Sequence, residues 1–271
     1  MDTTDARFPL RSGFGVEKWY ADVFLEDGSL LIVTVGRLVL LGISLDRLSV
    51  DLHRPDGSRL SLAGPLGRAR RDGASLTYPR ASLTPEQLDW TLESLAGSLR
   101  FVARFGPFTP ADPVLSRGGR RLRWFVSVPD GDVEGMLRTP QGSVPVRGRG
   151  YRDFVALDLP PWAWRGARLR WGRAIRPGQA SVWFRLASAL GTLEATWANG
   201  VMRPVFHPPA LAREERLTDS LLTDLPIMRV GPVRRLLALL GGRPRQVRTT
   251  ASLVDGLPGR AIHELVTWES G

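Results

Sequence analysis

The sequence predicts an all-β protein built as two antiparallel barrels. Three observations carry that expectation. Short runs rich in Val, Ile, Leu and aromatic residues follow one another along most of the 271 residues, at the length of strands. Glycine-containing turns separate them at hairpin spacing. One turn pattern also recurs: Leu52-His53-Arg54-Pro55-Asp56-Gly57-Ser58 and Leu137-Arg138-Thr139-Pro140-Gln141-Gly142-Ser143 share the same Pro-x-Gly-Ser ending. That repeat fits two units of similar size.

Taken in order, Tyr20–Leu25 and Ser29–Val35 flank Glu26-Asp27-Gly28, a hairpin with glycine at the turn. The most apolar stretch, Leu30 to Leu45, has 16 residues and contains Gly36 and Arg37. A membrane helix takes about 20 apolar residues, so this stretch reads as two successive buried strands. Leu48–His53 and Arg59–Leu62 form the second hairpin. Ser75–Tyr78, Asp89–Leu95 and Leu99–Phe105 read as strands, with Asp72-Gly73 and Ala96-Gly97 as breaks. Between Phe108 and Gly119 the chain holds Pro110, Pro113, Gly118 and Gly119 with little periodicity. This segment is the expected domain junction, dividing the chain into 1–112 and 113–271.

Strands resume at Leu122–Val128, Val133–Leu137, Gly142–Val146, Gly150–Leu157, Arg168–Ile175, Ala180–Leu186 and Thr192–Ala198. Pro208 to Gly242 departs from the pattern. Leu211, Glu214, Glu215, Leu217, Leu221 and Leu222 fit a short amphipathic helix, and Val233, Leu236, Leu237 and Leu240 a second, ended by Gly241-Gly242. This is a helical insertion that either covers the barrel surface or closes a cavity mouth. Val247–Val254 and Arg260–Trp268 complete the sheet.

Composition narrows the chemistry. There is no cysteine, and the three histidines (His53, His207, His263) are scattered, so no metal site is expected. The phosphate-binding, dinucleotide-binding, serine-hydrolase and zinc-protease motifs are missing, so a reaction without a cofactor is expected. The net charge of +10 would ordinarily raise nucleic-acid binding. Here 36 of the 37 basic residues are arginine, Lys18 being the exception, and they are spread along the chain. A solvated basic surface is expected, with no nucleic-acid partner. The acidic start Met1-Asp2-Thr3-Thr4-Asp5 lacks the features of a signal peptide, which points to a cytoplasmic protein with no integral membrane association. Nine tryptophans against three tyrosines suit cavities walled by large flat side chains. Trp162 and Trp164, after Pro160-Pro161, would sit on a rigid loop that either meets a hydrophobic ligand or plugs a barrel end.

The segment Arg147-Gly148-Arg149-Gly150-Tyr151-Arg152-Asp153-Phe154 carries the sharpest chemical signal. Alternate side chains of a strand share a face, so Tyr151 and Asp153 point one way while Arg152 and Phe154 point the other. A phenol beside a carboxyl is a candidate proton-handling pair. In an apolar cavity Asp153 would have a raised pKa and could donate a proton near neutral pH. Paired with an arginine such as Arg173, it would instead be a charged structural group. By the same alternation Asp22 shares a face with Tyr20.

The chain resembles the carotenoid 1,2-hydratase (hydroxyneurosporene synthase) superfamily. Its pattern Gly-x-Gly-Tyr-His-Asp, followed by Trp-x-Trp-Gly-Arg-Ala, corresponds to Gly148-Arg149-Gly150-Tyr151-Arg152-Asp153 and Trp171-Gly172-Arg173-Ala174. Its opening Trp-Trp-Tyr-x-Asp corresponds to Lys18-Trp19-Tyr20-Ala21-Asp22. The resemblance implies two lipocalin-like barrels, and it extends to Diels–Alderases that fold a polyene without hydrating it. It also implies Asp153 as the acid with Tyr151 its neighbour, and Trp19, Tyr20, Trp124, Trp171 and Trp183 as substrate-binding residues. Two departures, Arg152 in place of the histidine and Val155-Ala156-Leu157 in place of Asn-Trp-Gly, shift the expectation from hydration toward ring closure of a hydrophobic polyene.

Overall fold

A computed structural model describes residues 14–40, 43–109, 115–117, 120–158, 165–189, 191–221, 243–254 and 259–269. Among them all regular secondary structure is strand. The first twelve strands are β1 (Phe14–Leu25), β2 (Leu30–Leu40), β3 (Ile43–His53), β4 (Arg59–Pro65), β5 (Arg70–Asp72), β6 (Ser75–Tyr78), β7 (Ala81–Leu83), β8 (Gln87–Thr91), β9 (Ala96–Ala103), β10 (Leu115–Arg117), β11 (Arg120–Thr139) and β12 (Gly142–Leu157). They form one antiparallel sheet whose path runs β4-β3-β2-β1-β12-β11-β9-β8-β7-β6-β5, with the short β10 off this path.

The expected hairpins form for the expected reasons. Gly28 takes φ +90°, and its N–H donates to the Leu25 carbonyl at 3.1 Å, turning β1 into β2. The Leu30–Leu45 stretch splits into β2 and the start of β3. On β1, Ala21, Val23 and Leu25 alternate into an apolar core with Leu31, Val33 and Val35 of β2. Leu76, Tyr78 and Phe101, from β6 and β9 beyond the middle of the path, enter the same core. The sheet therefore curls on itself into a half-barrel. Leu31, Leu48 and Leu99 are fully buried there, each contributing roughly 1.5–3 kcal/mol.

The glycine-rich lead-in to β12 serves this curl. A Cβ at Gly148 would stand 2.2 Å from the Phe24 carbonyl oxygen, and one at Gly150 would stand 2.5 Å from Val133 Cγ2. Only glycine lets β12 lie this close to β1 and to the core.

The remaining strands are β13 (Arg168–Arg176), β14 (Gln179–Ser188), β15 (Gly191–Ala198), β16 (Val201–Arg203), β17 (Leu211–Leu221), β18 (Arg243–Leu253) and β19 (Arg260–Glu269), in the order β16-β15-β14-β13-β19-β18-β17. The two sheets repeat one topology. A four-strand meander leads away from the first strand, and the last strand returns to pair with it, β12 on β1 and β19 on β13.

Two expectations are corrected. The compact units are Met1–Thr109 with Arg120–Asp158, and Pro110–Gly119 with Leu159–Gly271. The division therefore does not fall at 112. After the proline-glycine segment the chain re-enters the first sheet, where β11 pairs with β9 and β12 with β1. The helix expected over 211–222 is also not formed, because Leu211–Leu221 is β17, paired with β18. Register shifts between Ala212 and Glu215 and between Arg216 and Thr218 insert extra residues, and Arg213 takes φ +47°. These bulges stretch a two-residue alternation into spacings of three and four, which imitate a helix. The helix expected over 233–240 lies outside the described residues.

Candidate active site

The site is assembled by the register of three strands. Tyr20 of β1 lies opposite Asp153 of β12, Asp22 opposite Tyr151, and Lys18 opposite Val155. On the other side of β12, Trp124 of β11 lies opposite Val155 and Val126 opposite Asp153. Directly paired residues share a face of the sheet. Lys18, Tyr20, Asp22, Trp124, Tyr151 and Asp153 are thus gathered on one face of the first sheet, opposite the apolar core.

Asp153 is the chemical centre of this face. The Tyr151 hydroxyl donates to its Oδ2 at 2.8 Å, and the Trp124 indole N–H donates to the same oxygen at 3.0 Å. Oδ1 is buried with no hydrogen-bond partner. Tyr151, Trp124 and Asp22 are almost wholly buried, and Asp153 is 6% exposed. Burial pushes the Asp153 carboxyl up to about 6, against the pull of the Lys18 charge and of the two donors, with Asp22 adding a further upward push. Both donors are committed to Oδ2, which leaves Oδ1 as the oxygen of this carboxyl without a hydrogen-bond partner. No arginine is among the hydrogen-bond or ion-pair partners of Asp153 within the described residues. The structural reading of Asp153 through a salt bridge is therefore not realised.

Aromatic rings surround the acid. The Tyr20 and Tyr151 rings are 6.2 Å apart at 61°, and Phe108 meets Trp124 edge-on at 5.9 Å. The Lys18 ammonium sits 5.4 Å from the Tyr20 ring centroid.

Of the residues proposed from sequence, Tyr20, Trp124, Tyr151 and Asp153 come together. Trp19 does not: alternation turns it to the opposite face, where it packs on Phe154 at 4.9 Å. Trp171 and Trp183 are buried on β13 and β14 of the second unit, where the Trp183 indole covers Gly172, and they are not part of this face. Trp162 and Trp164 lie outside the described residues. Arg152, in the place of the family histidine, also faces the core. It donates to the Pro85 and Thr84 carbonyls at 3.0 and 2.9 Å and stacks on Phe101. Its substitution therefore leaves the Asp153 contacts untouched. Lys18 is a member of the face that sequence reasoning did not single out. As the lone lysine, two residues before Tyr20, it is legible by alternation.

No family model matches the sequence, and no curated protein matches it. Solved structures do. NE1406 of Nitrosomonas europaea, described as an AttH, superposes with a TM-score of 0.63 at 16% identity, covering 96% of this chain and 95% of that one. CghA gives 0.64 at 15% identity, with 96% and 90% covered. Kievitone hydratase from Nectria haematococca gives 0.54 at 9% identity, with 99% and 96% covered. These matches span nearly the whole of each chain, and the fold of this chain is the one that these three structures share, in agreement with the architecture that the resemblance implied.

Proposed function

We propose that this chain is a cofactor-independent enzyme that closes a ring in a hydrophobic polyene, as a Diels–Alderase-like cyclase does. In this reading Asp153 is the assisting acid, and Tyr151 and Trp124 orient its proton. The observation that carries the reading is the Asp153 carboxyl itself: buried, pushed up to about 6, tied through Oδ2 and without a hydrogen-bond partner at Oδ1. Such an acid gives a proton or a strong hydrogen bond near neutral pH. Holding a flexible chain in its reactive fold supplies the remainder of the acceleration, on the order of several kcal/mol. Further support comes from the company of the fold, since CghA has been solved with Sch210972 and another match is a hydratase by name.

A second reading, hydration of an isoprenoid or carotenoid double bond, is favoured by the Tyr20, Tyr151 and Trp124 rings around the acid, which would stabilise a carbocation. Incubation of the purified protein with a linear polyene separates the readings. Unchanged mass with a new retention time is the expected result and means ring closure. A gain of one water means hydration. Unchanged substrate with saturable quenching of tryptophan fluorescence would leave a non-catalytic binder of a lipid or pigment and overturn both enzymatic readings.

A further inference from the structure

The second unit carries a patch of like charge that the Asp153 site does not use. Arg168 and Arg170 alternate on β13 and share a face, and Arg185 of β14 stands directly opposite Arg170. All three residues are exposed. Like charges directly opposite on paired strands destabilise the pair, so this register sets two guanidiniums together against a penalty. Partial burial and the positive charges of Arg168 and Arg185 hold the Arg170 pKa below its ordinary value.

Other arginines of the same sheet meet carboxylates. Arg245 grips Asp219 with both Nε and Nη2, at 2.6 and 2.8 Å, and Arg248 is paired with Glu264. Arg185 lies 3.4 Å from Glu194, which faces it from β15. The Arg168 and Arg170 side chains make no hydrogen bond or ion pair among the described residues, and Thr267 and Leu265, opposite them on β19, carry no charge. Three guanidiniums and one carboxylate therefore leave two positive charges uncompensated at one spot.

Charge and shape narrow what fits there. A carboxylate or a phosphodiester brings one negative charge and balances half of the excess. A phosphate monoester brings about −1.5 to −2 at pH 7, with three strong acceptor oxygens. Guanidinium forks engage such oxygens bidentately. Directly opposite Cβ atoms are about 5 Å apart and alternate residues of one strand about 7 Å, so three side chains of this length reach one phosphoryl group. We propose that Arg168, Arg170 and Arg185 form a binding site for a phosphate monoester, carried by the second unit alone. The ligand is a small soluble ester. A membrane surface would call for apolar side chains beside the cations, and the exposed large hydrophobics of this unit among the described residues, Val201, Val205 and Val254, all lie off β13 and β14.

The probe is methyl phosphate, titrated into the full-length chain in a phosphate-free buffer of low ionic strength and read by calorimetry. Dimethyl phosphate and acetate are the singly charged controls. Wild type should bind methyl phosphate saturably and about tenfold more tightly than either control. Arg170→Gln and Arg168→Gln should each weaken that binding by about tenfold, as expected for one charge-assisted pair. Glu194→Gln should strengthen it, because Arg185 is released to the anion and the excess charge grows. Without ligand, Arg170→Gln should melt at or above the wild-type temperature, since it relieves the facing charges, and this separates lost binding from lost fold. Equal binding of the three anions, wild-type affinity in both arginine variants, or no saturable binding by the wild type would each overturn the proposal. Capture by vesicles containing phosphatidic acid without binding of methyl phosphate would overturn it in favour of a membrane contact. Binding of an oligonucleotide without binding of methyl phosphate would do so in favour of nucleic acid.

Discussion

Two carboxyl groups in this chain are buried to the same depth and held in opposite ways. Asp153 on β12 and Glu264 on β19 are each 6% exposed. Glu264 accepts from Nη2 and Nε of Arg248, at 2.9 and 3.2 Å, so a guanidinium compensates its charge. Asp153 accepts from a phenol and an indole, both neutral. Desolvation outweighs the Lys18 charge and the two donors at Asp153 and pushes it up to about 6. In a protein with 36 arginines a counter-ion is the easiest partner for a carboxylate to find. No arginine takes that place at Asp153 among the described residues, and this is the difference between the two carboxyls.

The largest expected effect tests that separation directly. Asp153→Asn keeps the shape and replaces the acidic O–H by a weaker amide donor, so conversion of a polyene should fall by about 10²–10³-fold in a product assay. A loss below about threefold would place Asp153 beside Glu264 as a structural group. Arg248→Met does the converse in the second sheet. It strands a buried charge and should cost about 3–5 kcal/mol in urea unfolding, with product formation per folded molecule unchanged.

A third test uses pH. The folded pKa of Asp153, about 6, lies above its ordinary value of 3.8, so the native state holds this proton more tightly than the unfolded chain does. The stability tied to that proton is complete below about pH 4 and is lost as pH rises through about 6. Asn cannot ionise and escapes the loss. Asp153→Asn should therefore be more stable than wild type at pH 8 by about 1–3 kcal/mol and nearly equal at pH 4. Equal melting at both pH values would mean that the carboxyl is solvated. The smallest effect is expected from Tyr151→Phe. The lost hydrogen bond had held the Asp153 pKa down, so the alkaline fall of the rate should move to higher pH, whereas Arg248→Met should leave it in place.

Much of this arrangement is legible in the sequence. Strand alternation alone puts Tyr151 with Asp153 and Tyr20 with Asp22, because a two-residue period is a property of the extended backbone. The same rule turns Trp19 away from Asp153; applied consistently, it takes Trp19 out of the candidate site and brings Lys18 in. The β17 segment misleads for a physical reason, since its bulges carry an apolar spacing that a helix would also show.

What the sequence determined by itself is local: the hairpins at Gly28 and Gly57, the pairing of a phenol with a carboxyl on one strand, and the lack of cysteine and of nucleotide motifs. Tertiary structure decided the rest. It set which sheet the long β11 and β12 join, which face of β12 lies against the core, and whether the Asp153 carboxyl meets an arginine or an indole. These are choices among partners far apart in the chain, such as Tyr20 of β1 and Asp153 of β12. They depend on which pairing buries the most apolar surface while satisfying the backbone, a comparison that no short stretch of sequence contains.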